Sequence, residues 1–431
     1  MKKSKKVLML SVFFLFFVVH LFYGQGSKYT GEYIKSPAIQ HAHKNNIVIE
    51  GLEFTNSNPS LFGGRAISLW KCENVIIRNC KFTNVAWEAA ILVENGLNVT
   101  ITDCVFENVY QALRVEKSRG NVKFENNEVK NLVKGLHNGN GGGGVQIAES
   151  NGPGYSVSSN VFENLPGNTH TIDVIGVYHS NGTPDSPIMI KGNWIRGGGP
   201  LLNSGGIILG DVGGSYQIAE DNILVDPGQY GIQIAGGHNM TLRNNKVYAK
   251  QQPFTNVGLV LANWTQDQLG ASYNIVVENN AINWISSSGA VGTAWISENM
   301  KAVVPNWRQA SVRDASILST ILPEVIFGRA TKPQDTPHDP PSNPPSNPNP
   351  PGTDNGGLPI VYIDKFNRIC VNYSGETYYL TSVSISRDGK ILVDQVIDRY
   401  HTVVNKKFGP GEYDVMVDYD GKIHNTKLVL K

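Results

Sequence analysis

The sequence has almost no excess charge: 37 Lys and Arg balance 36 Asp and Glu, and charged residues make up only 17% of the chain. So neutral a balance argues against a nucleic-acid binder and against a polybasic membrane-surface protein. Cysteine is scarce. Cys72, Cys80, Cys104 and Cys370 are too few for a disulfide scaffold and lack the spacing of a zinc site, so they read as small buried fillers. Short catalytic signatures are missing as well: there is no P-loop, no HExxH, no GxSxG in a strand-turn-helix context and no calcium-binding nonapeptide repeat. Any active site must therefore come from residues that the fold brings together.

Long apolar runs are missing too, with one exception. Lys2, Lys3, Lys5 and Lys6 precede a run of 16 residues from Val7 to Phe22. This is the charged-then-apolar order of a secretory signal peptide, expected over residues 1–24, and it is short of the roughly 20 residues of a membrane-spanning helix. The mature chain is expected to be secreted, extracellular or at the cell surface, with no membrane span. Residues 331–357 are so rich in Pro, Asn and Ser that they read as an extended linker. Before it lies a region rich in Gly and Asn, and after it comes a short segment, 358–431, with alternating apolar positions such as Tyr413, Val415 and Val417.

The large region carries a repeat. The units EGLEF, RNCKF, TDCVF, ENNEV, SSNVF, KGNWI, EDNIL, RNNKV and ENNAI end on Phe54, Phe82, Phe106, Val129, Phe162, Ile195, Leu224, Val247 and Ile282, one apolar column. Two residues earlier a second column reads Leu52, Cys80, Cys104 and then Asn127, Asn160, Asn193, Asn222, Asn245 and Asn280. The units recur every 28 residues or so, the length of a solenoid coil of short strands. At about 4.8 Å between rungs, each Asn amide reaches the Asn above and below it and satisfies polar groups at a buried bend. A second strand follows each of the first eight units with period-two alternation, from Ile67/Leu69 to Leu259/Leu261.

On these residues the chain resembles the right-handed parallel β-helix, the pectate-lyase-like architecture, over roughly residues 28–300. The expected fold is all-β: a solenoid of about nine coils over 25–300, a cap at 301–330 with a short helix at Asp314 to Leu322, and a small C-terminal β-sandwich. The segments SRDGKILVDQVI and FGPGEYDVMVDYDGKIHNTKLVLK are similar to the sorting domains of the bacterial type IX secretion system, with an Asp420-Gly421-Lys422 turn. The usual Asn-Pro pair near the start of such a domain is missing, and a plain accessory module is the alternative. The β-helix scaffold carries lyases, hydrolases, epimerases and binding proteins, so the resemblance implies the fold and not the activity.

Candidate site residues follow from stacking the second strands. An outward column reads Ser68, Leu92, Arg114, Gln146, Gly176, Ile208, Gln233 and Val260, and the next outward column includes Trp70, Glu116 and Tyr178. One residue further the row Lys71, Asn95, Lys117, Glu149, His179, Asp211 is polar although alternation would turn it inward, so the strand is expected to end there in a bend. Glu149, His179 and Asp211 would then stand on successive rungs, with an imidazole of raised pKa between two carboxylates. A solvated turn ladder explains the same row.

Two mechanisms fit. In a lyase, His179 or Tyr178 removes a proton α to a uronate carboxylate that Arg114 and Lys117 neutralise. In an inverting hydrolase, Glu149 and Asp211 flank the bond, at about 9.6 Å for two rungs. Glu116, Gln146, Asp173, Gln233 and His238 are the remaining candidates for substrate contacts. Asp173 also reads as a turn residue where its strand begins, and His238 as a satisfied turn histidine. Trp194, Trp264, Trp284 and Trp295 are either sugar-stacking or packed residues. The metal ligands are unknown and Ca²⁺ is the one cofactor left open. The expected partners are a polysaccharide and, through the C-terminal domain, the secretion machinery, with no nucleic acid, and the chain is expected to be a monomer. The rival reading is a carbohydrate-binding or adhesive surface protein that cleaves nothing.

Overall fold

A strand of three to six residues buries too little surface to stand alone, so a chain made of such strands gains a core only by stacking them coil on coil. The computed structural model describes residues 31–304 and 306–328, then the segments 360–363, 369–372, 381–388, 390–397, 401–403, 410–419 and 422–430. The expected signal peptide and linker lie outside these residues. Two units divide between Thr336 and Pro337.

The first unit is a parallel β-helix with three rows of strands. The first row, from Ile34–Lys35 to Ala281–Trp284, forms a ten-stranded parallel sheet. The second and third rows join in an eighteen-stranded sheet, because the strand Pro200–Glu220 runs on through the bend between them. The apolar column read from the sequence is the observed register: Phe54 pairs with Phe82, Phe82 with Phe106, and so on to Val247 with Ile282. Phe54, Phe82 and Phe106 stack face to face, with centroids 5.1 and 4.6 Å apart. In the second row the alternating pairs from Ile67/Leu69 to Leu259/Leu261 likewise align and are buried.

The asparagines form the expected ladder. Asn127, Asn160, Asn193, Asn222 and Asn245 each donate a side-chain N–H to the Oδ1 of the next, ending on Asn280, at 2.8–3.2 Å. Each backbone N–H donates to that same oxygen. The second amide hydrogen goes to a carbonyl of the third row, for example Val157 from Asn193 at 2.8 Å. In the two coils above, Cys80 and Cys104 take the same place, their thiols donating to the carbonyls of Ile49 and Ile77. The polar groups of this bend are thus satisfied without water, and these cysteines and Cys72 are free and buried. The side chain of Cys370 is outside the described residues.

The bend after the second row is built differently. Lys71, Asn95, Lys117, Glu149 and His179 all adopt left-handed backbone, with φ between 41° and 53°; the strand ends just before the first four, as the sequence implied, whereas Thr171–Asn181 runs on through His179. The residue after each turns inward. Ser118, Ser150 and Ser180 form a short ladder in which the N–H of Ser118 and of Ser150 donates to the next hydroxyl, both at 3.0 Å.

The cap differs from expectation. Residues 314–322 hold only a 3-10 turn at Ser319–Ile321, and the short helices lie earlier, at Glu298–Lys301 and Trp307–Ala310. After Arg313 the chain turns back and runs along the outside of the first-row sheet. Asn283 donates to the Ile317 carbonyl, Arg196 to the carbonyls of Ser319 and Leu322, and the buried Glu163 accepts the N–H of Ile326 and Phe327. Leu322 and Ile326 pack on Val161 and Val225, with Trp194, Ile223 and Tyr248 around them. A helix at 314–322 loses to this strap because apolar side chains on the outer face of the sheet need a cover.

The second unit holds two antiparallel sheets. Thr381–Arg387 lies between Lys390–Ile397 and Gly411–Tyr419, with Lys422–Leu430 at the edge, and Ile360–Ile363, Ile369–Asn372 and His401–Val403 make the other sheet. Ile385, Tyr413 and Val415 are buried, two of them from the alternation read in the sequence.

Candidate functional site

The outer face of the second row presents three outward positions in each coil: Gln111, Arg114 and Glu116; Gly143, Gln146 and Ala148; then Asp173, Gly176 and Tyr178. In the next coil the spacing changes. Ile208 pairs with Gly176, but Asp211 rather than Gly210 pairs with Tyr178, because the strand carries an irregularity of one residue. Gly210 is the inserted residue. It sits at φ 65°, and a Cβ there would collide with the Gly236 carbonyl, so only glycine fits. Gln217 holds the bulge, accepting the Gly210 N–H at 2.9 Å and donating to the Ser180 carbonyl at 2.8 Å.

This slip overturns the expected stack. Glu149 and His179 do stand on neighbouring rungs of the bend, but the residue that follows them in the row is Val212, at φ 54°, and Asp211 faces the groove instead. His179 is exposed and lies edge-on to the Tyr178 ring, with centroids 6.3 Å apart. Glu149 pairs with Lys117 at 3.7 Å, both largely in solvent. No imidazole lies between two carboxylates, and the two-rung separation of Glu149 and Asp211 no longer describes a pair across a bond.

What the fold brings together is a groove of about 440 Å³ that runs over six successive coils. That is about 24 Å along the axis at 4.8 Å per rung. Arg65, Gln111, Arg114, Glu116, Gln146, Asp173, Tyr178 and Asp211 contribute to its walls, and Gly176 leaves its floor open. Asn138 and Gly141, from the long loop before Gly143–Ala148, border it, so an insertion does lie on this face. Arg114 donates to Gln146 at 2.7 Å and to Glu116 at 3.0 Å, and the bond from Arg114 holds the Glu116 carboxyl below its ordinary range.

At the other end of the groove are two acids. Burial raises the Asp173 carboxyl to about 7; a hydrogen bond from Tyr230 opposes the rise and the nearby Asp211 adds to it. Burial also raises Asp211, against a hydrogen bond from the Val212 N–H. The Tyr230 hydroxyl donates to Asp173 Oδ1, and burial and the neighbouring Asp173 push that phenol well above its ordinary value. Tyr230 comes from two coils further on and reaches Asp173 across Gly205, where a Cβ would collide with its ring.

Of the residues expected from sequence, Asp211, Tyr178, Arg114, Glu116, Gln146 and Asp173 line the groove. Glu149, His179 and Lys117 stay on the adjoining bend. Gln233 faces outward one coil below Ile208. His238 lies on the third row, stacked on Tyr273 at 4.4 Å, with Nδ1 2.7 Å from the Asn239 amide, and burial lowers its pKa. It is away from the groove. Sequence reasoning missed Tyr230, Gln217 and Arg65 as parts of the site. The rungs that pair Gln111 with Gly143 lead through Asp173 and Gly205 to Tyr230, so counting two coils on from Asp173 reaches it, whereas the slip that reveals Gln217 leaves no mark except a run of glycines. Among the described residues, no three or more His, Cys, Asp or Glu are grouped to hold a metal ion, and no helix is long and apolar enough to cross a membrane.

A comparison with family profiles bears on the architecture. A family profile described as "right handed beta helix region" matches residues 22–162. The solenoid is a right-handed parallel β-helix. A solved structure described as that of PfbA, a surface adhesin of Streptococcus pneumoniae, shares 12% identity, covers 61% of this chain and 74% of its own, and aligns with a TM-score of 0.29. No curated protein matches the chain.

Proposed function

We propose that this β-helix protein hydrolyses a polysaccharide laid along the groove, with Asp173 as general acid and Asp211 as general base. One observation carries the reading: a carboxyl group that burial keeps protonated up to about pH 7 shares the end of a long groove with a second carboxylate. Asp173 donates its proton to the glycosidic oxygen as the C1–O bond breaks, and Asp211 takes a proton from the water that attacks C1. Tyr230 holds Oδ1 of Asp173, which leaves Oδ2 for the transferred proton. Arg114 and Gln146, already bonded to each other, present amide and guanidinium groups to sugar hydroxyls or carboxylates.

The export signature at residues 1–24 and the likeness of residues 358–431 to sorting domains support action outside the cell. N-terminal sequencing of the exported protein, with and without residues 358–431, tests that part.

The activity test is a panel of neutral and uronate-containing polysaccharides incubated with the mature protein, with and without EDTA. It follows reducing ends together with absorbance in the unsaturated-uronate band. Reducing ends alone, lost in Asp211→Asn, are expected. A rise in both signals would make the protein a lyase, and sugar inversion without new ends an epimerase. Retention of a glycan without any product would make it the adhesive alternative.

A further inference from the structure

Beyond the groove the same sheet face carries a feature that the proposed reaction does not use. Following the outward column through Gly176, Ile208, Gln233 and Val260, the next residue is Trp295, three coils below the coil of Asp211. Trp264 stands beside it, just past the strand Val257–Leu261, its backbone N–H donating to the Ala235 carbonyl at 3.0 Å. The two indoles are parallel, with centroids 5.3 Å apart and planes within 10°. Both are open to solvent, Trp264 at 60% and Trp295 at 46% exposure. The other two tryptophans considered from sequence do ordinary packing: Trp284 is fully buried and Trp194 sits under the strap.

Two large aromatics left in water, where Ile208, Val260 and Ala262 on the same face are buried, call for an occupant. We infer that Trp264 and Trp295 form a sugar-stacking subsite that holds the polysaccharide chain about three rungs from the acids, roughly 14 Å along the axis. The apolar face of a pyranose ring matches an indole in size and is attracted by its C–H groups to the π surface. A glycan repeat and a rung of the solenoid are of similar length. A chain with its scissile bond at Asp173 and Asp211 therefore continues over Ile208, Gln233 and Val260 to the two rings. This ligand is a glycan of at least four or five units. Short fragments reach the acids without reaching the rings.

This inference rests on the hydrolytic reading of the groove, and the experiment separates the two. Full-length wild type, Trp264→Ala/Trp295→Ala and Trp264→Tyr/Trp295→Tyr are run in native gels that contain polygalacturonan, alginate, xylan or mixed-linkage β-glucan. Each is then assayed for release of reducing ends from the retained polymer and from its di- and trisaccharides. The alanine pair is expected to weaken retention of the polymer about tenfold, as two lost stacking contacts imply, and the tyrosine pair to restore most of it. Turnover of the short fragments is expected to stay unchanged. Cleavage by wild type with retention unaltered in the alanine pair would overturn the subsite and leave the hydrolytic reading intact. Neither retention nor cleavage by wild type on any polymer would overturn both.

Discussion

The two bends of this solenoid differ in how strictly they repeat. At the bend beside the first row, the asparagines from Asn127 to Asn280 hand the same hydrogen bonds from coil to coil without a break. At the bend after the second row, the serine ladder stops at Ser180, and the next coil inserts Gly210 and recruits Gln217 in its place. The first bend is architecture alone. The second sacrifices a rung of its ladder, and that departure turns Asp211 out of the turn row and into the groove that Asp173 also lines. In a repetitive fold, chemistry is to be sought where the period fails.

The comparison can be broken most severely at the regular bend. Asn193→Ala removes an amide that is fully buried, leaving the Val157 carbonyl and the Asn160 backbone N–H without partners. A loss of about 4 kcal/mol is expected in urea unfolding. A loss below 1 kcal/mol would mean that the ladder does not hold the coils together.

Next in size is the effect of pH at Asp173. Its carboxyl is raised in the folded state to about 7, so the folded protein keeps a proton that the unfolded chain has already released. Stability from this group is therefore full below about pH 4 and is lost as pH rises through 7. Asp173→Asn, which still accepts from Tyr230, is expected to match wild type at pH 4 and to exceed it by about 4 kcal/mol at pH 8. Parallel stability curves for the two proteins would show that Asp173 titrates normally.

A smaller effect tests the slip itself. Gly210→Ala forces an L residue into left-handed backbone against the Gly236 carbonyl, at a cost of about 2 kcal/mol. Because the bulge aims Asp211, glycan cleavage is expected to fall far more than stability. Equal cleavage at a temperature where the variant is folded would separate Asp211 from the reaction. Smallest of all is Glu149→Gln. The exposed pair with Lys117 is worth roughly 0.5 kcal/mol or less, and cleavage is expected to be unchanged. Abolished cleavage in this variant would return the site to the bend.

The sequence shows this same contrast. Both core columns, the asparagine ladder and the outward column from Ser68 to Val260 are legible because the same short strand pattern recurs coil after coil and any error of register would show. The αL bend at Lys117, Glu149 and His179 is legible from one breach of alternation. The site is legible in three coils, at Arg114 and Glu116, at Gln146, and at Asp173 and Tyr178. It fails at Asp211, because counting along a strand assumes one residue per position, and a bulge at Gly210 adds one without changing composition. The strap fails for a related reason. Asp314 to Leu322 has helical spacing, but what decides its conformation is an uncovered apolar surface on distant strands, at Val161, Trp194, Ile223, Val225 and Tyr248.

The central claim is that Asp173 is the proton donor of a glycan hydrolase, and the pH profile of reducing-end release by wild type and Asp173→Asn tests it most directly. A wild-type profile that falls on the alkaline side with a midpoint near pH 7 is expected. In Asp173→Asn that limb should vanish along with at least about a hundredfold of rate. The same rate and the same alkaline limb in both proteins would contradict it.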